Sequence, residues 1–178
     1  MKKIIIIALV MLAVPLYLFV GYISTNSLLQ DIDGKTGEVW NSVDRAIQVL
    51  DRLEGQMEVY LADRQDLIDQ ITAARNDILA AKENGNLATL TDAQNKTEIA
   101  VQAIAEAYPD ISLSGLQQGL MDETAGSLNR ISYARKELIE TQVKYNKATV
   151  WFPFYSKVEV LGSSFNPETT LPPSTFGN

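Results

Sequence analysis

The stretch that decides the fold is VWNSVDRAIQVLDRLEGQMEVYLADRQDLIDQITAARNDILAA, which covers residues 39–81. Its apolar residues recur in alternating steps of three and four, a spacing that places them on one face of an α-helix. Only Arg64 interrupts the stripe, which predicts one very long helix or two helices with a kink at Gly55. The stripe consists of Val43, Ala46, Leu50, Leu53, Met57, Tyr60, Leu67, Ile71, Ala74, Ile78 and Ala81.

Two further helices are predicted downstream. Gly85 lies between two asparagines, where a left-handed C-cap can end the first helical stretch. The next helix is expected to begin near Leu87 or Thr91 and to end at Pro109, because proline breaks a helix. The last helix runs to about Thr149. The short links between these helices favour an up-and-down arrangement.

The opening segment MKKIIIIALVMLAVPLYLFVGYIS predicts a membrane anchor. Its uncharged run extends from Ile4 to Ile23, roughly the 20 residues that cross a bilayer as a helix. The alternative is a cleaved signal peptide, which would have a shorter apolar region and a small-residue cleavage site. Because the exit LFVGYISTNS does not offer that cleavage site, we favour a retained anchor.

The charges around this segment predict its orientation. Lys2 and Lys3 precede the apolar run, whereas Lys35 is the first basic residue after it. The positive-inside rule therefore places the amino terminus in the cytoplasm and the helical domain outside. The expected localisation is a single-pass membrane protein, with the lipid bilayer as the partner of the N-terminal helix.

The predicted fold class is all-α: an N-terminal transmembrane helix followed by an up-and-down antiparallel bundle of three to four helices. The expected domains are a membrane anchor (1–24), a helical bundle (25–153) and an extended, disordered tail (154–178). The tail is predicted because NPETTLPPSTFGN contains three prolines and no apolar periodicity.

Composition excludes several classes of chemistry. The chain has 178 residues, no cysteine and no histidine, which removes disulfides, thiolate and imidazole chemistry and the usual zinc or haem ligands. Its net charge of −7 would repel a phosphate backbone, so nucleic-acid binding is not expected. We expect no cofactor, no metal and no catalytic residues.

Carboxylates are the remaining candidates for a reactive site. Four aspartates and two arginines occur along one helical stretch, a pattern typical of a solvated charged face. A metal or acid-base site would need them to converge on a pocket. They are Asp63, Asp66, Asp69, Asp77, Arg64 and Arg75.

An aromatic cluster follows the last predicted helix, at Trp151, Phe152, Phe154 and Tyr155. The preferred interpretation is a hydrophobic cap that closes one end of the bundle. The alternative is a contact with the membrane interface, where amphipathic aromatic rings are enriched.

Five short pieces in order, AEAYPDI (105–111), LQ (116–117), NRISYAR (129–135), YN (145–146) and FP (152–153), resemble the LemA family. The N-terminal apolar helix before an all-helical domain fits the same family. The residues that carry the resemblance most specifically are Tyr108, Pro109, Asn129, Arg130, Tyr133, Arg135, Tyr145, Asn146 and Pro153.

The resemblance implies a membrane-anchored four-helix bundle without an established enzymatic activity. One branch of the family is associated with magnetosome membrane formation, which suggests a membrane-organising role. The family is often described with its domain inside the cytoplasm, opposite to the orientation that Lys2 and Lys3 predict. The family's basic pair followed by an Asp-Leu-Ile-Pro step is missing from this chain, and the missing proline favours a continuous helix over residues 40–82.

The polar residues of the last helix raise a structural hypothesis. Asn129, Arg130, Tyr133 and Arg135 are expected at the edges of a packing seam that includes Tyr145. Buried polar groups can fix the alignment of helices at a cost in stability. Replacing Arg135 or Asn129 by leucine is therefore expected to give a helical but less uniquely packed domain.

Two functional classes follow. The first is a non-enzymatic scaffold or interaction protein, anchored in a membrane, that binds an unidentified protein partner or organises a membrane surface. The alternative is a cryptic enzyme or small-ligand binder that uses carboxylates with Arg130 or Arg135. A cavity of several hundred cubic ångströms lined by converging carboxylates and arginine would favour the alternative.

Overall fold

The computed structural model describes residues 2–60, 65–107, 115–152 and 154–161. Every regular element in these ranges is a helix, which confirms the all-α prediction: α1 (Lys2–Tyr60), α2 (Gln65–Glu83), α3 (Leu87–Ala107) and α4 (Gly115–Trp151). Contacts divide the chain into a bundle unit, residues 37–136, and an anchor unit, residues 1–36 with 137–178. Residues 162–178 of the predicted tail lie outside the described ranges, and the predicted domain boundaries stay predictions.

The core of the bundle unit contains every predicted stripe residue except Tyr60, whose side chain lies outside the described ones, and also Val39, Val49 and Ile68, which the stripe did not include. All four helices contribute apolar side chains that are at most 8% exposed. Leucine and isoleucine dominate this core, and burial of each such side chain stabilises the fold by about 1.5–3 kcal/mol. The largest fully buried side chains in this unit are Leu50, Leu53, Met57, Ile71, Ile78, Leu90, Ile104, Leu128 and Ile131.

Helices α1 and α2 form an antiparallel hairpin inside the bundle unit. Lys82 forms an ion pair with Asp44 near one end of the pair, and Thr72 donates a hydrogen bond to Glu54 nearer the other. In a continuous helix Asp44 and Lys82 would be about 57 Å apart at 1.5 Å per residue. The prediction of a continuous helix over residues 40–82 is therefore wrong.

A Schellman motif ends α2, as the sequence predicted. Gly85 adopts a φ of 61°, and its N–H donates to the carbonyl of Lys82 at 2.9 Å. The Asn86 N–H donates to the carbonyl of Ala81, also at 2.9 Å, which completes the motif. The Asn86 side chain then caps α3, because its Oδ1 accepts from the N–H of Ala88 at 3.0 Å.

A buried glutamine connects α3 to α4. Gln94 is only 3% exposed, and its Nε2 donates to the carbonyl of Leu128 at 2.9 Å and to Ser132 Oγ. Its Oε1 has no hydrogen-bond partner among the described residues. Since a buried amide is stable only in an arrangement that supplies partners, Gln94 restricts how α3 and α4 can align.

The anchor unit pairs the first part of α1 with the last part of α4. Lys35 Nζ lies 2.7 Å from Glu137 Oε2, and Tyr17 donates a hydrogen bond to the carbonyl of Trp151. The residue numbers fall along α1 as they rise along α4, so the two segments of this unit are antiparallel. Leu138 lies on α4 between Glu137 and Trp151, the residues that make these two contacts, and it is fully buried.

Candidate functional site

The first part of α1 carries an uninterrupted apolar surface. Of its described large apolar side chains from Ile4 to Ile23, the least exposed is Leu18, at 44%. Such a surface is unfavourable in water and suits the hydrocarbon core of a bilayer. Among the described helices, α1 alone is long and apolar enough to cross a membrane, by length and composition. The predicted anchor from Ile4 to Ile23 is compatible with this finding.

The aromatic cluster meets α1 inside the anchor unit. The rings of Tyr17 and Phe152 are 5.0 Å apart between centroids, and a Cβ added at Gly21 would overlap the Phe152 ring. Phe152 is half-buried, whereas Trp151 and Phe154 are 72% and 77% exposed. Tyr155 is half-buried as well, so the preferred interpretation, a cap that buries the cluster, fits Phe152 and Tyr155 but not Trp151 and Phe154.

Side chains of α4 hold the segment that follows the aromatic cluster. Asn146 donates from Nδ2 to the carbonyl of Val158 at 2.7 Å and accepts from the Val158 N–H at 2.9 Å. Tyr145 donates to the carbonyl of Ser156 at 3.1 Å, and Gln142 Oε1 accepts from the N–H of Leu161 at 3.0 Å. We call these three side chains the clasp. They satisfy backbone groups of a segment that has no ladder of its own.

Burial affects the ionisation of Tyr145. The side chain is only 3% exposed, and desolvation raises the pKa of its phenol above the ordinary value, with a smaller contribution from Tyr155. The neutral phenol is thus the form that the folded chain favours, and it is the form that donates to Ser156.

The remaining candidate residues on α4 are not buried as the register hypothesis required. Asn129, Arg130 and Tyr133 are exposed, with Tyr133 at 65%. Their polar groups are available to solvent or to another molecule, so they do not fix helix alignment. Tyr108, Pro109 and Pro153 lie outside the described residues.

Arg135 is half-buried, in contrast to these neighbours. Desolvation lowers the pKa of its guanidinium, and its Nε has no hydrogen-bond partner among the described residues. Partial burial of this charge costs stability, and the apolar stem of the Arg135 side chain contributes packing.

Two charged residues of the stretch on α2, Arg75 and Asp77, form ion pairs with neighbouring helices, whereas Asp69 accepts a hydrogen bond from Gln65 within α2. Arg75 pairs with Asp51 and lies 3.1 Å from Glu54 Oε2. The hydrogen bond that Arg75 donates to Asp51 raises the pKa of the arginine, and burial opposes the rise. Lys96 donates a hydrogen bond to its ion-pair partner Asp77, which raises the pKa of the lysine. Asp63 and Arg64 lie outside the described residues.

Two grooves in the bundle unit bear on the alternative of a ligand site. One, of about 300 Å³, lies between α3 and α4 and contains a single carboxylate, Glu98. The other, of about 390 Å³, contains Asp51 and Arg52. Both of these groups already have partners, Arg75 and Glu123, the latter at 2.8 Å from Arg52. Neither groove has the converging carboxylates and free arginine that the alternative needs, and no group of three acidic residues in the described ranges could hold a metal ion.

A comparison with protein families matches the LemA family over residues 35–170. The chain belongs to the LemA family. A comparison with curated proteins finds no match. The LemA match begins after the apolar segment of α1 and includes the bundle unit, the end of α4 and the clasp.

Within the LemA region, the family pieces do different work. Tyr145 and Asn146 belong to the clasp, whereas Asn129 and Arg130 face outward from α4.

Sequence reasoning missed Gln94 and Gln142. Neither belongs to a motif, and a lone glutamine in a helical pattern normally indicates a solvated position. One signal was available for Gln94: it lies four residues after Leu90 and seven before Val101, the spacing of residues on one helix face.

Proposed function

We propose that this LemA-family protein is a non-enzymatic, single-pass membrane protein whose bundle lies outside the cytoplasm and serves as an interaction scaffold at the membrane surface. The observation that carries the proposal is the apolar surface of α1 from Ile4 to Ile23, where the described large apolar side chains are all at least 44% exposed. A chain with this surface needs a bilayer, and the bundle on the same helix is then held beside it.

The exposed face of α4 favours the proposal of a protein partner. Asn129 lines the groove between α3 and α4, and Tyr133 lies one turn further along the same face of α4, where it is 65% exposed. Arg130 is exposed between them. Tyrosine and arginine are the residue types that dominate binding energy at protein interfaces. We therefore place the partner's contact on this face.

The charge arrangement favours a scaffold over an enzyme. A catalytic site needs groups with shifted pKa values that converge on a pocket and remain available. At the larger of the two grooves, Asp51 instead neutralises Arg75 of α2, and Arg52 is neutralised by Glu123 of α4. These pairs stabilise helix packing and leave the groove without a reactive group.

Topology is tested by cysteine labelling, since the chain has no cysteine of its own. Asn129→Cys is placed on the exposed face of α4, and Lys3→Cys is the matched variant at the amino terminus. A membrane-impermeant maleimide applied to intact cells is expected to label the first variant only. Labelling of Lys3→Cys alone would reverse the proposed orientation, and labelling of neither with recovery in the soluble fraction would exclude the anchor.

The partner face is tested by site-specific photocrosslinking in membranes. A benzoylphenylalanine at Tyr133 is expected to give a discrete crosslinked product, whereas the same residue at exposed Gln70 on α2 is not. Equal crosslinking from both positions would indicate random collision, and a product of twice the chain mass would indicate self-association instead of a separate partner.

A further inference from the structure

Three exposed apolar side chains lie at the end of α4 and just after it, and we call them the exposed cluster. Outside the apolar segment of α1, the described chain exposes only a few large apolar residues, and most of them are isolated on separate helices. Val150, Trp151 and Phe154 are the exception, at 62%, 72% and 77% exposure within five residues. Isolated exposed apolar residues are ordinary, whereas a contiguous set marks a contact surface.

This cluster lies beside the apolar segment of α1, within the anchor unit. Tyr17 donates to the carbonyl of Trp151, and its ring packs 5.0 Å from that of Phe152. Glycine at position 21 is what lets Phe152 approach α1, because any larger residue would overlap its ring. Tyr17 lies about 9 Å from Ile23 along the helix axis, at 1.5 Å per residue. The cluster is thus beside a part of α1 that lies inside the predicted span.

Basic residues surround the cluster in an otherwise acidic protein. Between Glu140 and Glu159 the chain has three lysines and no acidic residue, although its net charge is −7. Lys144 and Lys147 are exposed and lie on the same face of α4 as Trp151, at spacings of seven and four residues. Lysines beside exposed aromatic rings are typical of helices that lie in a membrane interface and attract anionic lipid headgroups.

We infer that Val150 and Trp151 at the end of α4, together with Phe154, are a second membrane contact that enters the interface of the bilayer in which α1 is anchored. Trp151 and Phe154 lie at the boundary between headgroups and acyl chains, and Lys144 and Lys147 face anionic phospholipid headgroups. The depth of about 9 Å falls in the range of about 5–10 Å at which interfacial helices lie. The inference rests on the proposed function, because it requires α1 to span the same bilayer.

The two tryptophans of the chain make the depth measurable. The Trp40→Phe variant keeps Trp151 as its only tryptophan, and the Trp151→Phe variant keeps Trp40, which belongs to the bundle unit and lies outside the apolar run of residues 4–23. The full chain is reconstituted in vesicles that contain lipids brominated near the headgroup end of the acyl chains. Emission from Trp151 is expected to be quenched and blue-shifted, and emission from Trp40 is not expected to be quenched.

A third variant separates failure of this inference from failure of the anchor. Phe19→Trp, made together with Trp40→Phe and Trp151→Phe, reports on α1 itself. Quenching at position 19 without quenching of Trp151 would overturn the membrane contact and leave the anchor intact. Absence of quenching at both positions would overturn both. A blue-shifted but unquenched Trp151 would mean that protein, such as a second copy of the chain, covers the cluster.

The lysines are tested in the same assay. Quenching of Trp151 is expected to be stronger in vesicles with phosphatidylglycerol than in vesicles of phosphatidylcholine alone. Replacing Lys144 and Lys147 by glutamine should abolish that difference, whereas Lys136→Gln, at an exposed position in the bundle unit, should preserve it. If Trp151 is quenched equally in both lipids in the protein that retains Lys144 and Lys147, the assignment of anionic headgroups is overturned.

Discussion

Asn146 gives the sharpest test of the clasp, because one side chain makes both hydrogen bonds to the backbone of Val158. Each such bond contributes about 0.5–1.5 kcal/mol net. Asn146→Ala should therefore weaken attachment of the segment by about 1–3 kcal/mol, a factor of about 5 to 150 in the equilibrium between the attached and released segment. Asn146→Asp keeps the acceptor for the Val158 N–H and loses the donor, so a smaller effect is expected.

The measurement is amide hydrogen exchange at Val158 and Leu161 in the full chain in detergent. Exchange of both amides should accelerate in Asn146→Ala by the same factor, since release of the segment exposes them together. The overall unfolding temperature should change little, because the buried core is not altered. Glu140→Ala, at an exposed position on α4, is the control. Unchanged exchange at Val158 in Asn146→Ala would refute the reasoning.

Four further changes test the local structure. Gly85→Ala should destabilise the fold by about 1–2 kcal/mol in thermal unfolding, because φ is positive there. Gly55→Ala, in open space within α1, should stabilise the fold by about 0.5–1 kcal/mol. A loss of stability in Gly55→Ala would show that the site is crowded. Because burial raises the pKa of Tyr145 in the folded chain, its contribution to stability is complete below the unfolded value of about 10 and is lost as pH rises through the folded pKa. Tyr145→Phe should flatten that alkaline decline in denaturant titrations, and an unchanged slope would contradict the assignment. Gln94→Leu should leave stability within about 1 kcal/mol but broaden the unfolding transition, whereas an equally sharp transition would show that Gln94 does not fix the alignment.

The helical architecture was predictable because the heptad period is a property of each helix alone. A residue such as Leu53 or Ile78 is buried because its neighbours three and four positions away are also apolar, and the sequence displays that spacing directly. The left-handed cap at Gly85 was predictable for the same reason, since it depends on one residue's freedom to adopt positive φ.

The reversal between α1 and α2 could not be predicted from this pattern. The apolar spacing of α1 continues into α2 without a shift, since Tyr60 and Leu67 are seven residues apart. The pattern is therefore the same as that of a single unbroken helix. Neither glycine nor proline marks the reversal, and Gly55 lies inside α1. What holds the hairpin is a set of long-range contacts, such as that of Asp44 with Lys82. A pattern of local spacings contains no information on such pairs.

The polar residues of α4 show the same limit at the level of single side chains. Helical spacing placed Asn129 and Arg130 at the edge of the seam, and a small rotation of the helix decides whether an edge position is buried or exposed. Both are exposed, and the buried amide is Gln94 on α3. Composition could indicate that some polar group fixes the alignment, but only the packing of α3 on α4 determines which one.

The clasp and the aromatic cluster hold the same segment of the chain in place. Phe152 packs against α1 on one side of the cluster, and Asn146 holds the backbone at Val158 on the other. A segment held at both ends loses little further freedom when Trp151 and Phe154 enter a lipid interface, so more of the transfer free energy of their rings is available for binding. Release of the clasp should therefore weaken the proposed membrane contact without removing any residue that touches lipid: Asn146→Ala should reduce quenching of Trp151 by brominated lipid and leave quenching at position 19 unchanged. Equal reduction at both positions would mean that the substitution disturbs the anchor as a whole.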